Sequence, residues 1–146
     1  NRKYAIVRPN VVFSSDINNR SNFLGWVLRN LKASNTINVV NDQISNPTPV
    51  ELLKQVLESI VLLNSEGIFN VGTPDPISRY HFAIKIAKIF GYDTNFIKSI
   101  STKNLNQAEN RPKNTYLSFE RIISELDIDI YSLDYYLEHY KEASIE

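Results

Sequence analysis

Apolar residues follow two different periods along this chain. Residues 4–13, Tyr-Ala-Ile-Val-Arg-Pro-Asn-Val-Val-Phe, form a nearly continuous apolar run of strand length. Pro9 cannot donate to a ladder, so the strand is expected to leave its sheet there. Turn formers fill 14–21. From 22 to 32 the period becomes helical: Phe23, Trp26, Val27, Leu28 and Leu31 share a face, with Ser21 or Asn22 as the N-cap. Residues 37–40 read as a short strand. Thr48 at an N-cap, Pro49 at the first helical position and Glu51 three residues on form a capping box for the next helix. Residues 67–72 read as a strand between glycines. Ile77, Tyr80, Ala83, Ile84, Ala87 and Ile89 or Phe90 then line one face of a helix that Ser78 caps and Gly91 ends. A short strand over 96–100 and a polar loop over 106–119 follow. Ser118 can cap a helix over 119–126, and Ser132 another over 133–142.

Strands alternating with helices predict an α/β fold. Only 4–13 and 67–72 are long strand candidates, and two strands with several helices make a poor sheet. They are expected to be the far edge of a larger one. No linker composition interrupts the chain, so one compact unit is expected. Methionine is absent, even at position 1, and the chain opens directly on an apolar strand. Both features suggest the second half of a longer protein.

Composition narrows the chemistry. Sixteen basic and sixteen acidic residues cancel, and no basic run offers the clustered charge that nucleic acid requires. No apolar stretch approaches the ~20 residues of a membrane span. With no signal-peptide pattern, a cytoplasmic protein is expected. The absence of cysteine rules out disulfides, thiolate metal sites and a Cys nucleophile. His81 and His139 are far apart, so no metal site is expected. The sequence contains no G-x-G-x-x-G, P-loop, G-x-S-x-G or Tyr-x-x-x-Lys motif. Tyr136, His139 and Lys141 read as a solvated helix face, and His81 as a partly exposed helix residue.

Four polar features remain. Arg8-Pro9-Asn10 lies at a strand's carboxyl end, where open α/β sheets bind ligands; a plain kinked strand end is an equal reading. Asn22 lies at a helix start, which favours an anion such as a diphosphate, although capping is the default role. Asp42-Gln43 precedes Asn46-Pro47-Thr48-Pro49, and the helix start accounts for Thr48 and Pro49 but not for Gln43. Arg111 in Arg111-Pro112-Lys113-Asn114 offers a planar fork for phosphate oxygens, in a loop where an Arg is usually mere surface.

Five segments together carry a resemblance: RPNVVF, NFLGWVLRNL, VVNDQISNPTPVELL, GIFNVGTPDPISRYHFAIKIA and NRPKNTYLSFERI. In this order and spacing, over about residues 4–126, they resemble the C-terminal half of dTDP-4-dehydrorhamnose reductase and its relatives. These are extended short-chain dehydrogenases/reductases that act on nucleotide sugars. The resemblance implies an α/β fold for 1–146: the C-terminal part of a Rossmann-type fold plus a small substrate-binding subdomain, with the N-terminal cofactor-binding half outside this chain. It implies rhamnose-type biosynthesis, in which hydride passes from NADPH or NADH to C4 of a dTDP- or UDP-linked 4-keto-6-deoxy sugar. A Tyr-x-x-x-Lys upstream would supply the proton. The implied partners are the nucleotide-sugar substrate and the N-terminal half; a homodimer is compatible, and neither nucleic acid nor membrane is implied.

Residue by residue, Pro9, Asn10 and Val11 match the family's segment beside the nicotinamide. Asn22 matches the helix start facing the diphosphate. Gln43, Asn46 and Thr48 match the loop closing over the substrate. Arg111 matches the phosphate arginine, and Asn114 supports its loop. No catalytic or metal-binding residue is implied within the chain. Rhamnose reductases often carry an aromatic in a pattern like R-T-S-W, where this chain has Val11. That departure leaves the sugar open. The stretch SSDINNRSNF also looks like bifunctional 3,5-epimerase/4-reductases of UDP-rhamnose synthesis. The alternative is a non-catalytic regulatory protein of the same fold, like the beta subunit of methionine adenosyltransferase. On the reductase reading the 146-residue chain alone is inactive. Turnover of a 4-keto sugar by the purified chain would overturn it.

Overall fold

The computed structural model describes residues 4–104 and 111–143, so part of the expected polar loop, 106–110, lies outside the described residues. The expected first strand is two. β1 (Ala5–Pro9) pairs in parallel with β6 (Gly67–Val71), and β2 (Val12–Phe13) pairs in parallel with β5 (Thr48–Pro49). Asn10 and Val11 form the step between them, with Val11 at φ 37°. Positive φ is a true outlier for a β-branched residue, so the surrounding packing must hold it.

Between these strands come α1 (Phe23–Lys32), β3 (Ile37–Val40), β4 (Ile44–Ser45) and α2 (Val50–Leu62). After β6 come β7 (Ile77–Ser78), α3 (Arg79–Phe90), a 3-10 turn at Thr94–Phe96, β8 (Ile97–Ile100), α4 (Glu120–Leu126) and α5 (Leu133–Ala143). β3 pairs in parallel with β8, and β4 antiparallel with β7. The two-residue strands β2, β4, β5 and β7 carry no period that a sequence could show.

Helices α2 and α4 pack on the β1–β6 pair, and α3 packs on the β3–β8 pair with α1 and α5 beside it. Phe13 of β2 packs against the helices of the β3–β8 side. Its ring meets Phe82 of α3 at 5.3 Å and Tyr140 of α5 at 5.8 Å, both edge-on. Tyr136 and Tyr140 are both buried, so the last helix turns an aromatic face into the core; the expected solvated face over Tyr136 is corrected to the His139 side. Burial pushes the Tyr136 phenol up to about 12. Outside this core the β1–β6 face stays open, with Tyr4, Ile6 and Ile68 exposed.

Three expected helix ends hold. Ser78 accepts from the N–H of His81, and Gly91 ends α3 in the left-handed region. Ser132 accepts from Tyr135 N, and Asp75 adds a second cap to α5 by accepting from Leu133 N. The expected Ser118 cap is displaced to Phe119, which makes no side-chain cap bond. The capping box of α2 is overturned. Pro49 occupies the N-cap position and α2 starts at Val50, while Glu51 accepts from the Tyr140 hydroxyl. Thr48 is fully buried in β5: its hydroxyl donates to Val71 O at 2.7 Å and accepts from Asn10 N at 3.0 Å. The buried Val71 carbonyl and the part-buried Asn10 N–H gain more from that hydroxyl than a helix end would, since a helix end can turn to water.

Thr48→Val keeps the shape but leaves those groups unpaired, so unfolding in urea should show a loss of about 2 kcal/mol. Thr48→Ser should retain most of the stability. An equal loss in both would show that packing, not the hydroxyl, matters at this position.

Candidate functional site

The carboxyl ends of β1, β3 and β8 face a common region, and the N-terminus of α3 enters it. The chain leaving β3 passes through Asp42 and Gln43 into β4, and there the backbone N–H of Arg79 donates to Gln43 O at 3.1 Å. The segment after Arg111 runs alongside: Ile44 N donates to Lys113 O at 2.7 Å and Thr115 N to Ile44 O at 2.9 Å. A cleft opens between these pieces. One arm of about 260 Å³ is lined by Asn10, Val11, Gln43, Arg79, Arg111 and Thr115 among others. A second arm of about 250 Å³ shares Gln43, Arg79 and Arg111 and runs on to Phe23, Trp26 and the β3 edge. Joined, the two arms fall in the range of ~300–1,000 Å³ that holds small-molecule ligands.

Two arginines dominate this cleft. Arg79 is half-buried and lies over the Phe23 ring at 5.2 Å. Burial first, then the nearby charge of Arg111, pull its guanidinium below the usual arginine range. Among the described residues neither arginine has an acidic partner within ion-pair distance. Two like charges facing one cleft repel each other, and an anion between them relieves the repulsion. Arg79 went unrecognised in the sequence. Its signal was its position: a cation at the first helical residue, in a turn with no acidic residue, opposes the helix dipole.

The expected site residues divide into those that line the cleft and those that brace it. Asn10, Val11, Gln43 and Arg111 line it. Pro9, the last residue of β1, is next to this lining but not part of it. Asn46 is fully buried beneath. Its Nδ2 donates to Thr73 O at 3.2 Å and Leu117 O at 2.9 Å, while Oδ1 accepts from Leu117 N at 3.0 Å and Asn10 Nδ2 at 3.3 Å. Gly72 makes room for this amide, because a Cβ there would sit 2.5 Å from Nδ2. Thr48 is equally internal. Asn22 occupies the N-cap position of α1 but makes no side-chain cap bond; its Nδ2 donates to Ser14 O and Asp16 O, pinning the preceding loop. Asn114 accepts from Tyr116 N, shaping its own turn. Thr102 and Thr115 also went unrecognised, because an isolated threonine in a polar loop has no distinguishing pattern.

Asp42 is engaged from one side. Thr102 donates to its Oδ1 through both hydroxyl (2.6 Å) and backbone N–H (2.9 Å), and Lys113 Nζ lies 3.9 Å from Oδ2. The Thr102 hydroxyl first, and its N–H second, hold the carboxyl below the usual carboxylate range. Among the described residues no group of His, Asp and Glu could hold a metal ion, and no helix is long and apolar enough to cross a membrane.

The RmlD substrate binding domain model matches residues 1–144. The chain belongs to that family. That family's model describes a substrate-binding domain. The chain's structure is similar to dTDP-4-dehydrorhamnose reductase from Bacillus anthracis in complex with NADP: TM-score 0.86, 25% identity, 97% of this chain and 49% of that one. The Clostridium acetobutylicum dTDP-4-dehydrorhamnose reductase gives 0.85 at 23% identity, over 98% of this chain and 49% of that one. A dTDP-glucose 4,6-dehydratase from Bacillus anthracis in complex with NAD shares the fold, at TM-score 0.73 and 10% identity, over 94% and 43% of the two chains. The RmlD domain spans about half the length of the reductases it matches. No curated protein matches it in sequence. The α/β class and the relationship expected from the sequence are both confirmed.

The depressed pKa of Asp42 has a definite sign. Its contribution to stability is present above the ordinary carboxylate value of 3.8 and is lost as pH falls through the lower folded value. Asp42→Asn should therefore flatten the acid limb of stability against pH in urea unfolding. An unchanged limb would place the acid sensitivity on other carboxylates.

Proposed function

We propose that this domain is the substrate-binding half of a nucleotide-sugar 4-reductase that takes a dTDP- or UDP-linked 4-keto-6-deoxy sugar. The observation that carries this reading is the pairing of Arg79 with Arg111 in a cleft where neither meets a carboxylate among the described residues. A diphosphate brings the charge such a pair lacks, and each planar guanidinium can grip two of its oxygens. The rest of the cleft suits the two ends of the molecule. Phe23 and Trp26 give an aromatic wall for a base beyond the arginines, and Asn10, Val11 and Thr115 border the end nearest the β1 terminus. The sugar lies at that end, with Gln43 beside the diphosphate.

The nicotinamide cofactor fits only the rim of this chain. Asn10 gives its side-chain amide to Asn46 and Thr115 and its N–H to Thr48, so this segment offers the bent backbone at Val11 as a surface for a flat ring. The sequence carries no glycine-rich dinucleotide turn and no Tyr-x-x-x-Lys. Both are assigned to an N-terminal half that holds most of the cofactor. When bound, NADPH or NADH supplies the hydride. The residues of this chain bind the diphosphate, orient the sugar towards the β1 end and close one side of the cleft to water. Asn46, Thr48, Asn22 and Asn114 are assigned bracing roles. The likeness to reductases does not favour the non-catalytic regulatory alternative.

Calorimetry with dTDP and UDP tests the reading. Arg79→Ala and Arg111→Ala should each weaken either diphosphate by about 10-fold or more, the loss of one charge-assisted contact. Thymidine and uridine binding should not change. Equal losses for nucleoside and diphosphate would refute the phosphate role. Failure of both diphosphates to bind would refute the nucleotide-sugar reading.

A further inference from the structure

We infer that Thr102, held by Asp42, is a positioning residue that sets the direction of the Gln43 carboxamide in the cleft. The inference rests on reading that cleft as the nucleotide-sugar site. Thr102 lies just beyond β8, on a different segment from Gln43, and both its donors go to Asp42 Oδ1. An ionised carboxylate only accepts, so it takes the hydroxyl proton of Thr102. The threonine oxygen is left with lone pairs, and Gln43 Nε2 donates to it at 3.1 Å. Turning the amide over would place Oε1 against an oxygen with no proton to give. The carboxylate thus decides which end of the glutamine faces Thr102 and which is turned the other way.

The backbone of Gln43 is fixed as well, since its carbonyl accepts from the N–H of Arg79. Held at both ends, Gln43 lines both arms of the cleft between the two arginines. Fixing a flexible side chain before the ligand arrives removes an ordering cost from binding. This also accounts for the Asp42-Gln43 pair: the acid sits beside a cationic cleft to direct the glutamine through the threonine.

The test uses the full-length protein, with dTDP as the probe and UDP in parallel. Gln43→Ala and Thr102→Val should each weaken binding by about 5- to 10-fold, the range of one neutral hydrogen bond and its ordering. The double variant should be no weaker than either single one. Thr102→Ser, which keeps the hydroxyl, should stay within about twofold of the parent, since it loses only a methyl group. In nitrogen-15 spectra the Gln43 side-chain amide should shift in Thr102→Val and stay in place in Thr102→Ser. Normal affinity in Thr102→Val beside a loss in Gln43→Ala would overturn the positioning role and leave the nucleotide-sugar reading standing. Additive losses in the double variant would do the same. A silent Gln43→Ala would remove Gln43 from the site and the positioning role with it.

Discussion

The carboxamide of Asn46 is the fastening on which this architecture depends. Completely removed from water, it ties the β1 step at Asn10, the end of β6 at Thr73 and the 115–117 segment into one junction. A buried amide must satisfy its donors and acceptor or incur their desolvation cost, so the three segments can meet in few ways. Thr48 adds a second tie two residues later, between Asn10 N and Val71 O. The unfavourable backbone at Val11 is held between these two fastenings.

That junction explains why the cleft lies where it does. Above it the β1 end, the Asp42-Gln43 turn, the α3 start and the Arg111 segment converge, and their polar groups divide into two sets. One set, Asn46 and Thr48, is used up inside the protein, while Asn22 spends its Nδ2 on the preceding loop and keeps a buried Oδ1 without a hydrogen-bond partner among the described residues. The other, led by Arg79 and Arg111, faces the cleft without a countercharge among the described residues. Packing Arg79 against Phe23 orders the guanidinium while leaving its charge unneutralised.

The rim of the chain is less finished than its core. β1 shows one edge and much of one face to solvent, and Val61, Leu62 and Leu63 are exposed at the end of α2. Against this, the α3 region is closed by an aromatic cluster of Phe13, Phe23, Phe82 and Tyr140. The domain is therefore firmly assembled around its cleft and open along the β1–β6 pair.

By itself the sequence determined the elements whose signal is local: helical periods in α1, α2, α3 and α5, the Ser78 and Gly91 ends of α3, and the strands β3, β6 and β8. It also marked Gln43, because the helix start does not explain it, and Arg111 by its planar fork and the family resemblance, although an arginine in a polar loop is usually surface. Tertiary structure decided everything that depends on which segments meet. It moved Thr48 from a helix cap to a buried strand tie, because the buried Val71 carbonyl and the part-buried Asn10 N–H use its hydroxyl and a helix end can turn to water. It turned Tyr136 inward, broke the first strand at Asn10–Val11, and buried Asn46 where a ligand contact had been expected. It also brought Arg79, Thr102 and Gln43 together from three separate segments. A threonine 59 residues from its glutamine has no local signature, and only the folded chain sets the distance between them.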